Sequence, residues 1–164
     1  MNEEPRATPA TSLLFDVFAL SQAVGRFLAG AMGEGPLNPT EYAVYSALFE
    51  LEAATPTQLT ARLGMRLTTL MDHLRTIEGR GHANRVSNPT DGRSYRVVLT
   101  TSGREAHRAA NRLFEAADLT FRGHLPHGEA VAKAALLSIR QAAEGAMVDS
   151  GRALSPRQRA GRAG

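Results

Sequence analysis

Between residues 66 and 96 the chain carries Arg66, Thr68, Thr69, Asp72, Arg75, Arg85, Asp91, Arg93, Ser94 and Arg96. Guanidinium forks donate to phosphate oxygens and guanine edges, short hydroxyls reach a backbone or base edge, and a carboxylate fixes an arginine or accepts from an amino group. The tightest grouping is Asp91-Gly92-Arg93-Ser94, between Asn84-Arg85-Val86-Ser87 and Tyr95-Arg96-Val97-Val98-Leu99, with Asn88-Pro89-Thr90 adding turn chemistry. That order predicts a short β-hairpin with Arg93 at its tip. Asp91 is expected to hold the tip and orient the guanidinium, and Gly92 to let the turn bend.

The distribution of charge fits such a surface. Net charge is +3 in 164 residues, but residues 56–108 hold nine Arg against four carboxylates, while residues 1–55 hold two against seven. The last fifteen residues add four Arg and no acid. Positive charge concentrated on the hairpin segment and the tail of a neutral-to-acidic scaffold is expected of a phosphate-binding surface; a solubilising basic face is the plain alternative. There is no Cys, which removes disulfides, thiolate metal sites and thiol switches. No apolar run approaches the roughly 20 residues that span a bilayer, and the acidic start Met-Asn-Glu-Glu-Pro is unlike a signal peptide, so a cytoplasmic protein is expected.

The elements that must position the hairpin are mostly helical. Residues 1–11 read as a flexible arm. A helix begins near Ser12, with Leu14, Val17, Val24, Phe27, Leu28 and Ala31 at three-and-four spacing, and stops at Gly33-Glu34-Gly35-Pro36. Asn38-Pro39-Thr40-Glu41 opens a second helix with a buried stripe of Tyr42, Tyr45, Leu48 and Phe49. Thr55-Pro56-Thr57-Gln58 repeats that grammar for a short third helix ending at Leu63-Gly64. The fourth helix turns Leu67, Leu70, Leu74 and Ile77 inward and Thr68, Thr69, Asp72, Arg75 and Thr76 outward, ending at Glu78-Gly79-Arg80-Gly81. After the hairpin, Thr100, Thr101 or Ser102 can cap a helix running to about Arg122, and a last helix covers roughly His127 to Asp149. Its narrow seam of Ala132, Ala135, Leu136, Ile139, Ala143 and Met147, with the first helix, leaves more apolar stripe than the central unit can cover, which argues for a partner chain. Residues 150–164 read as a disordered basic tail.

Taken together, Leu63-Gly64-Met65, Thr68-Thr69-Leu70, Leu74 through Glu78, Gly81, Arg85, Asp91-Gly92-Arg93-Ser94 and Leu99-Thr100-Thr101-Ser102-Gly103 resemble the MarR family of bacterial transcriptional regulators. The most specific feature is the Asp-x-Arg tip followed by Leu-Thr-x-x-Gly. The resemblance runs from about Ser12 to Met147. It implies a mainly α fold with a small β-hairpin wing: a winged helix-turn-helix lobe (38–101) flanked by N- and C-terminal dimerisation helices (12–33 and 102–149) in one MarR-like domain, 12–149. It also implies a homodimer on a pseudo-palindromic double-stranded operator. The helix from Leu67 to Glu78 would enter the major groove, with half-sites roughly 34–36 Å apart, and Arg93 would enter an adjacent A·T-rich minor groove. Three departures stand out. Arg66 replaces a small capping residue, Asp72 stands where a basic residue is common and would either accept from cytosine N4 or pair with Arg75 or Arg66 and touch no DNA, and His82-Ala83 makes the hairpin root less apolar and more mobile.

Members of the family respond to small molecules bound between the dimerisation helices and the lobe, and Phe15, Phe18, Tyr42 and Tyr45 could line such a pocket, although aromatics at helical spacing also serve as plain core. His73, His82, His107, His124 and His127 are the possible metal ligands; only His124-Leu125-Pro126-His127 is a close pair, at a helix break without a carboxylate, so neither metal nor cofactor is expected. No phosphate loop, nucleophile or paired-carboxylate constellation suggests an enzyme. Two functions remain: a sequence-specific repressor released by an effector, or a winged-helix protein-binding module or anti-repressor, for which Asp72 is the best argument.

Overall fold

The computed structural model describes residues 12–154; the expected arm and residues 155–164 of the expected tail lie outside the described residues. The elements are α1 (Leu13–Met32), α2 (Pro39–Leu51), β1 (Ala53–Ala54), α3 (Pro56–Leu63), α4 (Leu67–Gly79), β2 (Ala83–Ser87), β3 (Tyr95–Leu99), α5 (Thr101–Gly123) and α6 (Gly128–Leu154). The fold is mainly helical with one small antiparallel sheet, as expected. The chain divides after Ala117 into two compact units.

Helix starts follow local chemistry. The Ser12 hydroxyl caps α1 by accepting from Phe15 N. Asn38 with Glu41 and Thr55 with Gln58 each close a reciprocal capping box, and Pro39 and Pro56 fill the first helical positions, where no N–H is needed. Gly64, at φ 66, ends α3 in the left-handed region and hands the chain to α4. Full burial of Leu59 gives α3 the tertiary support that so short a helix needs.

The first unit's core joins α2, α3, α4, the sheet and the start of α5: Tyr45, Leu48, Leu59, Leu70, Leu74, Ile77 and Val97 are fully buried, each worth about 2 kcal/mol of transfer free energy. The inward stripe of α4 starts one turn later than expected. Leu67 is 54% exposed, because it precedes the first turn that packs against the core.

The sheet has three strands in the order β1-β3-β2, not the two of a bare hairpin. Ala53 and Ala54 pair with Val98 and Val97, and β2 pairs with β3 from Ala83↔Leu99 to Ser87↔Tyr95. A two-residue strand is too short to leave a period-two signal. The root of the hairpin is also firmer than its composition suggested. Ala83 is buried, His82 N donates to Ile77 O, and His82 O accepts from Thr100 N at 3.0 Å.

Two further expectations are corrected. The last helix continues through Ser150 to Leu154, five residues into the expected tail, with Ala153 and Leu154 adding helix formers. And α1, at 20 residues with a mean hydropathy of 1.4 over its best window, is long and apolar enough to cross a membrane by length and composition, against the expectation that no run approaches this. Asp16, Ser21, Gln22 and Arg26 interrupt the sequence run, but the Leu, Phe, Ala and Gly between them keep the average high.

Candidate nucleic-acid interface

The wing tip is built by two side chains. Asp91 Oδ1 accepts from the backbone N of Arg93 at 3.0 Å, and Asp91 O accepts from Ser94 N at 3.0 Å and from Ser94 Oγ at 3.1 Å, a tight turn over residues 91–94. The Asp91 carboxylate therefore holds the Arg93 backbone and not its guanidinium, which corrects the expectation. Nor does Gly92 supply special freedom: it is not at positive φ, and a Cβ built on it meets nothing within 4 Å. Arg93 is left exposed, and among the described residues its guanidinium has no partner.

Asn88 is the residue that reasoning from sequence passed over as mere turn chemistry. Nearly buried under the loop, it donates from Nδ2 to Ser94 Oγ (2.7 Å), while Oδ1 accepts from Thr90 Oγ1 (2.9 Å) and Arg96 Nε (3.0 Å). One amide thus ties both sides of the tip together and orients Arg96 along it. The signal lay in Asn-Pro-Thr, an order that favours an asparagine bonding the backbone two residues on, as Thr90 N to Oδ1 does at 3.3 Å.

On α4, Thr68 and Thr69 are exposed in the first turn, and Arg66 stands at the N-cap without a capping side chain, so the expected loss of a cap is present. Asp72 and Arg75 are paired, Oδ1 to Nη1 at 2.6 Å, and both remain about two-thirds exposed. Arg85, expected among the DNA-contacting residues, is paired within the fold. Its Nε and Nη2 donate to the two Glu78 oxygens at 2.7 and 2.9 Å, and its guanidinium lies 4.5 Å over the Tyr95 ring, pinning β2 to the end of α4. Of the ten side chains, the fold thus collects Asp91, Arg93, Ser94 and Arg96 at the wing, Thr68, Thr69, Asp72 and Arg75 on the outer face of α4 with Arg66 at its start, and uses Arg85 as a brace.

A second set of polar contacts fixes α4 and the wing root against α2. Arg80 pairs with Glu41 at 2.8 Å while the same carboxylate caps α2, and Tyr45 Oη lies 2.8 Å from His82 Nδ1. Burial, above all, raises the Tyr45 phenol above its ordinary value, so the hydroxyl stays protonated; which of the two groups donates follows the His82 tautomer.

The four aromatics expected to line one pocket do not come together. Phe15 and Phe18 are exposed on α1, and Tyr45 is sealed in the core. Tyr42 does border a cleft of about 340 Å³, with Leu28, Ser46, Glu50, Arg62, Leu63 and Phe114 among its walls. Behind it lies His107, buried between Tyr42 and Phe49, with Nε2 3.1 Å from Ser46 Oγ and Nδ1 without a partner among the described residues. Burial, and secondarily Arg108, lowers its pKa, so the unfolded chain binds the proton more readily. Stability is expected to be full above about pH 6.5 and to decline as pH falls from there toward the lowered native value. Denaturant midpoints measured from pH 7.5 to 5 should fall for the wild type and much less for His107→Gln; parallel slopes would remove His107 from the explanation.

No protein-family model matches the chain. Over 94 residues it is 30% identical to the HTH-type transcriptional regulator TtmR of Methylorubrum extorquens (strain PA1), a match covering 57% of this chain and 48% of that protein, so the chain spans about half the length of this curated relative. Among solved structures, the PcaV transcriptional regulator from Streptomyces coelicolor in complex with its natural ligand superposes with a TM-score of 0.71 at 24% identity, covering 87% of this chain and 99% of that one. A mutant MarR from E. coli complexed with operator DNA superposes with a TM-score of 0.66 at 20% identity, covering 79% and 99%. With its three-stranded wing, its capped helix-turn-helix and its long flanking helices, the chain has the fold of the MarR-type winged helix-turn-helix transcriptional regulators.

Proposed function

We propose that this chain is a sequence-specific, DNA-binding transcriptional regulator that works as a cytoplasmic, nucleoid-associated homodimer, a repressor released by a small-molecule effector. The observation that carries the reading is the wing, whose tip is held by Asp91, Asn88 and Ser94 so that the unpaired Arg93 projects from it. Residues 12–149 then work as one MarR-like domain, with 12–33 and 102–149 as dimerisation helices and 38–101 as the lobe on DNA. Arg66 and Arg96 supply phosphate contacts, Thr68 and Thr69 stand at the major-groove edge of α4, and Arg93 enters the minor groove. Exposed Leu13, Leu14, Phe15 and Phe18 on α1 and Leu136, Leu137 and Met147 on α6 support a second copy as their cover. The cleft beside Tyr42 and Ser46 is of a size to take the effector. It replaces the four-aromatic pocket in this role.

The alternative, a winged-helix protein-binding module, is favoured by one observation: α4 carries two carboxylates, Asp72 and Glu78, against one arginine. Salt separates the two. With Arg66, Arg93 and Arg96 of both subunits on phosphate or in the groove, log K for a duplex from the gene's own upstream region is expected to fall with log salt at a slope of about −5. Fluorescence anisotropy across a salt series checks this, and no binding to that duplex at low salt would leave the protein-binding module.

A further inference from the structure

The Asp72–Arg75 pair lies exposed on α4. With about 100° between successive residues of an α-helix, Asp72 points roughly 170° away from the mean direction of Leu70, Leu74 and Ile77, the core-facing residues of α4. Thr68, Arg75 and Thr76 fall close beside it on the same exposed face. The pair joins only one carboxylate oxygen, Oδ1, to one guanidinium nitrogen, Nη1. Among the described residues Arg75 Nε and Nη2 and Asp72 Oδ2 have no further partner, which leaves donors on one side chain and an acceptor on the other.

We propose that Asp72 and Arg75 act as one unit that reads a G·C base pair in each half-site; this rests on the DNA-binding function proposed above. The donors left on Arg75 match guanine O6 and N7, the two acceptors that guanine presents in the major groove. The oxygen left on Asp72 matches cytosine N4, the amino donor on the other side of the same pair or of the next one. The carboxylate also excludes: a T O4 or purine N7 placed against it faces two acceptors with no hydrogen between them, and a phosphate faces like charge. An arginine held by a neighbouring carboxylate loses less side-chain freedom on contact than a free one. A lone Arg at 75 would settle on any phosphate within reach, so Asp72 converts an electrostatic contact into a base-reading one.

Selection of bound duplexes from a randomised library tests this, with the full-length wild type, Arg75→Ala, and Asp72→Ala. Both side chains are exposed, so circular dichroism should show all three equally folded. The wild type is expected to yield a symmetric motif with one G·C pair at matching positions of both halves, and replacing that pair by A·T should weaken binding at least tenfold. Arg75→Ala should lose the preference at that position while keeping the rest of the motif. Asp72→Ala should bind non-specific duplex more tightly and discriminate less at the same position. A wild-type motif without such a pair, or one that survives intact in Arg75→Ala, overturns the inference while leaving DNA binding in place. Failure of the wild type to enrich any duplex at low salt overturns both.

Discussion

Gly103→Ala is expected to destabilise the protein by about 3 kcal/mol and to lower Tm by roughly 6–12 °C, although a helical Gly→Ala change taken alone would stabilise by about 1 kcal/mol. The sign is reversed by a backbone approach. A Cβ on Gly103 would lie 2.1 Å from His82 O and 3.0 Å from its carbonyl carbon. Neither atom belongs to a flexible side chain, and neither can retreat freely. His82 O accepts from Thr100 N, and Gly81 O accepts from Thr100 Oγ1 and Ser102 Oγ at 2.8 and 3.2 Å, so the root of the wing is stitched to the first turn of α5. The Leu-Thr-x-x-Gly order thereby gains a physical meaning: Thr100 caps α5 by accepting from Gly103 N, and Gly103 lets the wing root lie against the helix it caps. Thermal unfolding of the wild type, Gly103→Ala and Gly92→Ala checks this, with Gly92→Ala expected within about 1 kcal/mol of the wild type because its surroundings are open. Equal midpoints for all three would contradict the close approach.

Arg93→Ala is expected to weaken binding to an operator with A·T-rich flanks about tenfold or more, with Tm unchanged. The turn survives the substitution because Asp91 holds the backbone N of residue 93, which alanine keeps. What disappears is the guanidinium alone. A narrow A·T minor groove concentrates negative potential, so the loss should be larger there than for the same operator with G·C-rich flanks. Equilibrium titrations against the two duplexes at one salt concentration measure the difference. An equal loss on both would make Arg93 a phosphate contact, and no loss on either would remove it from the interface.

Most of the frame was legible in the sequence because local chemistry specifies it. Asn38-Pro39-Thr40-Glu41 and Thr55-Pro56-Thr57-Gln58 satisfy their own helix ends within four residues, and Gly64 ends α3 in a conformation that favours glycine. Val97 and Leu99 point to the core by alternation alone. The rest depends on contact between distant segments. β1 exists because Ala53 and Ala54 find Val98 and Val97 across more than forty residues of chain. Nothing along the sequence pairs Arg85, and only the fold sets Glu78 and Tyr95 beside it. Phe15 and Phe18 share a spacing with core aromatics yet lie exposed, whereas His107, one histidine among five, is the one buried in an aromatic stack.

The sequence by itself determined the order of helices, the position of the wing and the identity of Arg93 as its tip, since capping, turn propensity and hydrophobic period act over a few residues and need no partner. Tertiary structure alone decided which charges are spent and which remain. Glu78 neutralises Arg85, Glu41 neutralises Arg80, and Asn88 orients Arg96, while Arg93 and Arg66 are left open among the described residues. A charged side chain's availability depends on which opposite charge the fold brings within about 3 Å of it, and that distance is set by packing across the chain, not by spacing along it.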